Sequence, residues 1–187
     1  MSHAEKPDQG SFNPHRLDAM RMARQGALLQ GRRPLAHFSR LLEDLHAPVD
    51  AGAEVAWSAN AELRTAPSGA PEAWLHLEAT SLVPLTCQRC LEAVQTGLAV
   101  DRWFRFVADE AAALAEDDDC EEDLLALEPR PDLLAVIEDE LIMELPLVPM
   151  HGRCPDTPAA LAPAPETPAA DERPHPFSAL ARLKGGQ

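Results

Sequence analysis

The sequence predicts an α+β protein: an antiparallel sheet with N-terminal helices, one core helix near 132–145, and a disordered Pro/Ala-rich C-terminal linker ending in a short helix. Three observations predict it. Between Val55 and Phe106, apolar side chains recur at every second residue in successive runs, the period of strands whose one face is buried. Residues 132–145 change to helical spacing and stop before Pro146. Past Cys154, Pro155, Pro158, Pro163, Pro165 and Pro168 are set among Ala and acids, with too little apolar material to build a core. At roughly 100 to 200 residues per domain, 187 residues leave room for one domain and a tail.

Taken in order, residues 1–13 are polar, contain Pro7 and Gly10, and read as a disordered lead-in. A first helix is predicted over Arg16–Gln25, ending at Gly26. A second starts at Pro34, whose missing N–H costs nothing in a first turn, and carries Leu35, Phe38, Leu41, Leu42 and Leu45 to a stop at Pro48. Three strands follow, near 54–64, 73–86 and 93–107. Their connections are short, and parallel pairs need crossovers of about a dozen residues or more, so an antiparallel meander is expected. Trp57, Leu77, Phe104, Leu134, Ile137 and Leu141 are expected to be buried together, with the 132–145 helix on the apolar face of the sheet. Its acids Glu138, Asp139, Glu140 and Glu144 are expected at the solvated margins. The organisation is thus a lead-in (1–13), a single α+β domain (14–154) with an acidic loop at 109–123, a disordered linker (155–173), and a short docking segment (174–184) whose Phe177, Leu180 and Leu183 recur at i, i+3, i+6.

Charge narrows the function. Sixteen Lys and Arg against 31 Asp and Glu give a net charge of −15, which repels phosphate backbones and argues against a protein that coats nucleic acid. The exception is local. Arg16, Arg21, Arg24, Arg32, Arg33 and Arg40 face a single Asp18 over their stretch, a candidate contact patch or simply solvated helix faces. Residues 109–123 carry nine acids and no base and read as a solvated, mobile loop. No apolar run approaches the ~20 residues that span a bilayer, and the opening Met1–Lys6 lacks the pattern of a secretory signal. A cytoplasmic location is expected, where cysteines are reduced thiols or metal ligands.

One spacing carries chemistry. Cys87-x-x-Cys90 is followed far downstream by His151-x-x-Cys154, two close pairs of the kind that build a tetrahedral zinc site. Four ordinary reduced residues fit the same spacing. A redox role fits less well, because the first pair lies between strands and not at a helix start, where the dipole lowers a thiol pKa. Cys120, within the acidic loop, has no assigned role. There is no Gly-rich phosphate loop, no Gly-flanked Ser nucleophile and no His-Glu-x-x-His, so no enzyme is predicted.

Three segments carry a resemblance. Leu85-Thr86-Cys87-Gln88-Arg89-Cys90, then Asp132–Ile142 running into Leu145-Pro146-Leu147-Val148-Pro149-Met150-His151, and finally Pro176–Lys184 resemble, in order, the YceD family of bacterial large ribosomal RNA subunit accumulation proteins. The resemblance runs from about Phe12. It implies a non-enzymatic factor in ribosome biogenesis that supports synthesis, processing or stability of the large-subunit (23S) rRNA. Where the family often carries further Cys near the helix exit, this chain has His151 and Cys154; His175 stands where relatives tend to have Asn. Acidic charge and an RNA-linked role are reconciled most simply if ribosome-assembly or rRNA-processing proteins are the partners. The alternatives are direct rRNA contact through the Arg16–Arg40 patch and a zinc-knuckle interaction module.

Overall fold

The computed structural model describes residues 12–117 and 120–155. Its centre is a five-stranded sheet in the order β1-β2-β3-β4-β5, formed by β1 (Leu28–Pro34), β2 (Glu54–Thr65), β3 (Pro71–Thr86), β4 (Ala93–Asp109) and β5 (Asp123–Glu128). The first four are antiparallel neighbours, and β5 runs parallel to β4. The three strands expected from the two-residue period are β2, β3 and β4. One face is apolar: Val55, Trp57, Ala59, Leu75, Leu77, Val83, Val100, Phe104 and Phe106 are all buried. Burying that row is what sets the register, since a slip of one residue would turn every one of these side chains to solvent.

Two helices cover this face. Helix α1 (Ala19–Gln25) is capped by Asp18, whose carboxylate accepts the Arg21 N–H, and ends at Gly26, where φ is 54°. Only glycine adopts that left-handed turn without strain, and the turn sends the chain straight into β1. Helix α4 (Leu133–Met143) is capped by Asp132, which accepts from Leu134 and Ala135. Met22 from α1 and Leu133, Ile137 and Leu141 from α4 join the sheet residues in one core cluster. Trp57, Leu77, Phe104, Ile137 and Leu141 are buried there as expected, while Leu134 is half-buried and Leu133 takes the deeper place. Every element named here lies in the compact unit that ends at Gly152. Among the described residues no helix is long and apolar enough to cross a membrane.

Several local expectations are corrected. The first helix is shorter than Arg16–Gln25: a 3₁₀ turn over Pro14–Arg16 precedes α1. The predicted second helix is broken at Phe38 into a 3₁₀ turn (Leu35–His37) and the short α2 (Ser39–Glu43). Leu35, Phe38 and Leu41 are nonetheless all buried, so the apolar spacing marked a buried face without marking a continuous helix. Leu28–Pro34, between the two expected helices and given no element of its own in the sequence, forms β1: β2 offers an edge to pair with, and proline disfavours helical backbone in the residue before it. Gly31 lies directly opposite Trp57, and a Cβ there would stand 3.0 Å from its ring. The 109–123 stretch is not loop throughout: it contains α3 (Glu110–Glu116), capped by Asp109, and leads into β5. That stretch is itself the crossover of about a dozen residues that a parallel pair requires. Lastly, Glu138 and Glu140 are buried rather than solvated at the helix margins. The lead-in through residue 11, most of the linker, and Phe177, Leu180 and Leu183 lie outside the described residues.

Candidate metal centre

The connection from β3 to β4 is built around Cys87. Its N–H donates to the Glu92 carbonyl over 2.9 Å, and its own carbonyl accepts from Leu91 over 2.9 Å, which closes the six residues Cys87–Glu92 into a tight knuckle. Leu91 takes a φ of 65° to complete it. For a side chain branched at Cγ this left-handed backbone is strained, and such positions persist where surrounding contacts over-determine them. The segment after α4 reaches the knuckle from the other side. The chain bends at Leu147 and Val148, the Gln88 N–H donates to the Pro149 carbonyl over 2.9 Å, and the His151 N–H approaches the Cys87 sulfur at 3.5 Å.

The result is that Cys87, Cys90, His151 and Cys154 bring one ligand atom each within 4.8 Å of all the others. Zinc bound tetrahedrally at about 2.3 Å from sulfur sets its sulfur ligands about 3.8 Å apart, so small adjustments suffice to close the four around an ion. His151 is oriented for it. Its Nε2 lies 3.1 Å from the Ala93 carbonyl and its Nδ1 3.4 Å from the Cys90 sulfur. An Nε2–H donated to Ala93 leaves the Nδ1 lone pair on the side of the Cys90 sulfur, and such a bond to a backbone carbonyl fixes the tautomer of a ligating histidine. Cys87 and Cys154 are buried, as suits a closed structural site.

Electrostatics favour thiolate at the centre. Burial pushes the Cys87 thiol up, but N–H groups of Cys90, His151 and Arg89 directed at the sulfur outweigh it and bring the pKa down to about 5. Thiolate is the form that binds metal. Cys120, half-buried, approaches the carbonyls of Asp117 and Glu122 and stands apart from the four.

The six arginines of the N-terminal stretch are distributed over the 3₁₀ turn (Arg16), α1 (Arg21, Arg24), β1 (Arg32, Arg33) and α2 (Arg40). Arg32 lies 3.7 Å from Glu54, and Arg40 is bound to Glu138 and Asp139 on α4. Arg21 lies over the Phe12 ring at 5.1 Å. Arg16, Arg24 and Arg33 have no ion pair among the described residues.

Two polar assemblies escaped the sequence reading. Arg105, on the outer face of β4, lies 2.6 Å from Glu122, 2.9 Å from Glu116 and 3.8 Å from Glu72. Burial works against its charge, yet the hydrogen bonds to Glu116 and Glu122 hold the guanidinium protonated more firmly than usual. This strand residue pairs with two acids of the 109–123 stretch and ties α3 and the entry to β5 back to β4. On the same face Arg64 lies over both Trp74 and Trp103, at 4.2 and 4.1 Å, and His76 stacks on Trp103 at 4.5 Å. The signal was available: Arg64, Trp74, Trp103 and Arg105 all fall at outward positions of the two-residue period.

Comparison with curated proteins and with solved structures gives no match. A family model, described as large ribosomal RNA subunit accumulation protein YceD, matches residues 75–184. The matched span opens inside β3 and carries both halves of the Cys/His cluster, together with β4, β5 and α4. Covering more than half of the sequence, that match establishes that the chain belongs to the YceD family.

Proposed function

We propose that the protein is a non-enzymatic factor in ribosome biogenesis, supporting synthesis, processing or stability of the large-subunit (23S) rRNA by way of protein partners, and that Cys87, Cys90, His151 and Cys154 hold a structural zinc ion. Charge is the observation that carries the partner-mediated route. A chain with 31 acids against 16 Lys and Arg, whose basic stretch commits Arg40 to an internal pair, is suited to basic assembly or processing proteins more than to phosphates. Four protein donors would close the tetrahedron and leave no open position for a reacting water, so the metal would stiffen the knuckle rather than catalyse. Reduced thiols of this kind suit the cytoplasm. Phe177, Leu180 and Leu183 would serve as a docking segment for the same partners.

Crosslinking in cells, followed by purification and identification of what is bound, tests this. Basic ribosome-assembly or processing proteins should dominate the crosslinks. Crosslinks chiefly to rRNA would instead support direct binding through Arg16, Arg24 and Arg33, the reading favoured by their lack of ion-pair partners among the described residues. In that case the RNA affinity of the purified protein would fall steeply with salt as phosphate counterions are released.

A further inference from the structure

The outer face of the sheet is not covered by α1 or α4, and its centre is chemically specific. The register sets Glu62, Trp74 and Arg105 in one cross-strand row and Asn60, His76 and Trp103 in the next, with Ser58, Glu78 and Asp101 beyond. Arg64 folds across the first two rows. Its guanidinium lies over both indole rings while its Nε donates to Glu62 over 2.6 Å. Arg64 is thus already matched by Glu62, and Arg105 by Glu122, Glu116 and Glu72. Among the described residues, Glu78 accepts from the neutral Ser58 hydroxyl and Asp101 bonds to His76. A groove of about 310 Å³ opens beside the rings, lined by Trp74, Trp103, Asp101, Arg102 and the acidic run Glu121–Asp123. One arginine against four carboxylates leaves its lining negative.

We propose that the place Arg64 occupies over Trp74 and Trp103, with the acidic groove beside it, is a receptor for an arginine or lysine side chain on a basic segment of a partner protein. Rings that hold the chain's own guanidinium at 4.1 and 4.2 Å present the electron-rich faces that attract cations. Arg64 is the placeholder, and the guest displaces it. The surrounding carboxylates select a basic guest and repel an RNA strand, whose bases would otherwise suit tryptophan rings. This inference rests on the partner-mediated reading and gives it an address.

The test uses the full chain and a fluorescent nine-residue peptide of alternating Gly and Arg, read by anisotropy, with a Gly/Glu peptide and a nine-nucleotide RNA as comparators. The Arg peptide should bind and both comparators should not. Trp103→Leu should weaken binding about fivefold, the size of one cation–π contact, and Asp101→Asn should weaken it without changing the fold seen by circular dichroism. Arg64→Ala should tighten binding, because the competitor is gone, and the gain should vanish in Arg64→Ala/Trp103→Leu. If the gain persists in the double variant, the effect is bulk charge and the receptor is refuted; preference for the RNA refutes it equally. The cellular crosslinking separates this from the broader reading. Trp103→Leu and Asp101→Asn proteins that still capture the same basic partners overturn the receptor while leaving partner-mediated action standing, and wild-type crosslinks to rRNA alone overturn the latter.

Discussion

Arg40 is held by Glu138 from two directions at once. The Glu138 carboxylate accepts the Arg40 backbone N–H over 2.8 Å through one oxygen, and both Nε and a terminal nitrogen of its guanidinium over 3.1 Å through the other. The first oxygen also accepts from the Leu41 N–H at 3.3 Å. Helix α2 has no side-chain cap of its own at Phe38, so a residue of α4, 98 positions away, supplies it. A Ser, Asp or Asn at the start of a helix is worth about 0.5–2 kcal/mol, and here the acceptor is charged and buried.

Glu138→Ala should therefore destabilise the protein by about 2 kcal/mol in urea denaturation, at the upper end of cap substitutions. Glu138→Gln, which keeps a carbonyl acceptor, should lose less. An unchanged midpoint for the Ala variant would show that α2 does not depend on this cap.

Glu140, one turn from the end of the same helix, should behave in the opposite way. Burial raises its pKa, only partly offset by Arg102, with Asp123, Asp139 and Glu144 adding to the rise. A carboxyl whose folded pKa lies above its unfolded value costs nothing below the unfolded pKa, and stability is lost as pH rises through the folded one. Glu140→Gln should accordingly match or exceed the wild-type melting temperature at pH 7, and the advantage should disappear near pH 4. A clear loss at pH 7 would mean that the bond to Arg102 outweighs desolvation.

Removing the Arg105 charge should loosen one region more than the rest. Arg105→Met leaves Glu72, Glu116 and Glu122 facing one another without a cation, at a cost of about 1.5–3 kcal/mol for lost charged hydrogen bonds. Hydrogen exchange should quicken in α3 and β5 before it does in β2 or β3. Uniform loss of protection would contradict the assignment of Arg105 as the anchor of the acidic stretch.

Purified protein should carry one zinc per chain, and chelation should lower its melting temperature, since metal binding is coupled to folding. Cys87→Ser and Cys154→Ser should each lose the metal, and Cys120→Ser should keep it. Elemental analysis together with thermal denaturation checks this; metal-free protein of full stability would overturn the zinc reading.

How much of this was legible depends on where the information resides. The strands β2, β3 and β4 announce themselves because their own side chains alternate, from Val55 and Trp57 to Phe104 and Phe106. Edge strand β1 does not: only Leu29 among its residues is buried, and its conformation comes from its neighbour. β5 is short and half-buried throughout its middle, flanked by acids that read as solvated until Arg105 supplies the opposite charge. The Cys-x-x-Cys and His-x-x-Cys pairs were visible as spacings. That they meet follows from the hydrogen bond between Gln88 and Pro149, which no local pattern encodes. Glu138 looked like an exposed acid because its partner, Arg40, lies across the fold.

The bond network around the knuckle has a consequence for how a metal would be acquired. Cys90 and His151 are 61 positions apart. Closing a ring of that length in a loose chain carries an entropic penalty of about 4 kcal/mol. In the folded protein the sheet and α4 have already brought the ends together, so the ion meets a preassembled claw. Nascent or unfolded chain offers it only the local Cys-x-x-Cys bite. Metal loading would thus come late, open only to a chain that has already folded.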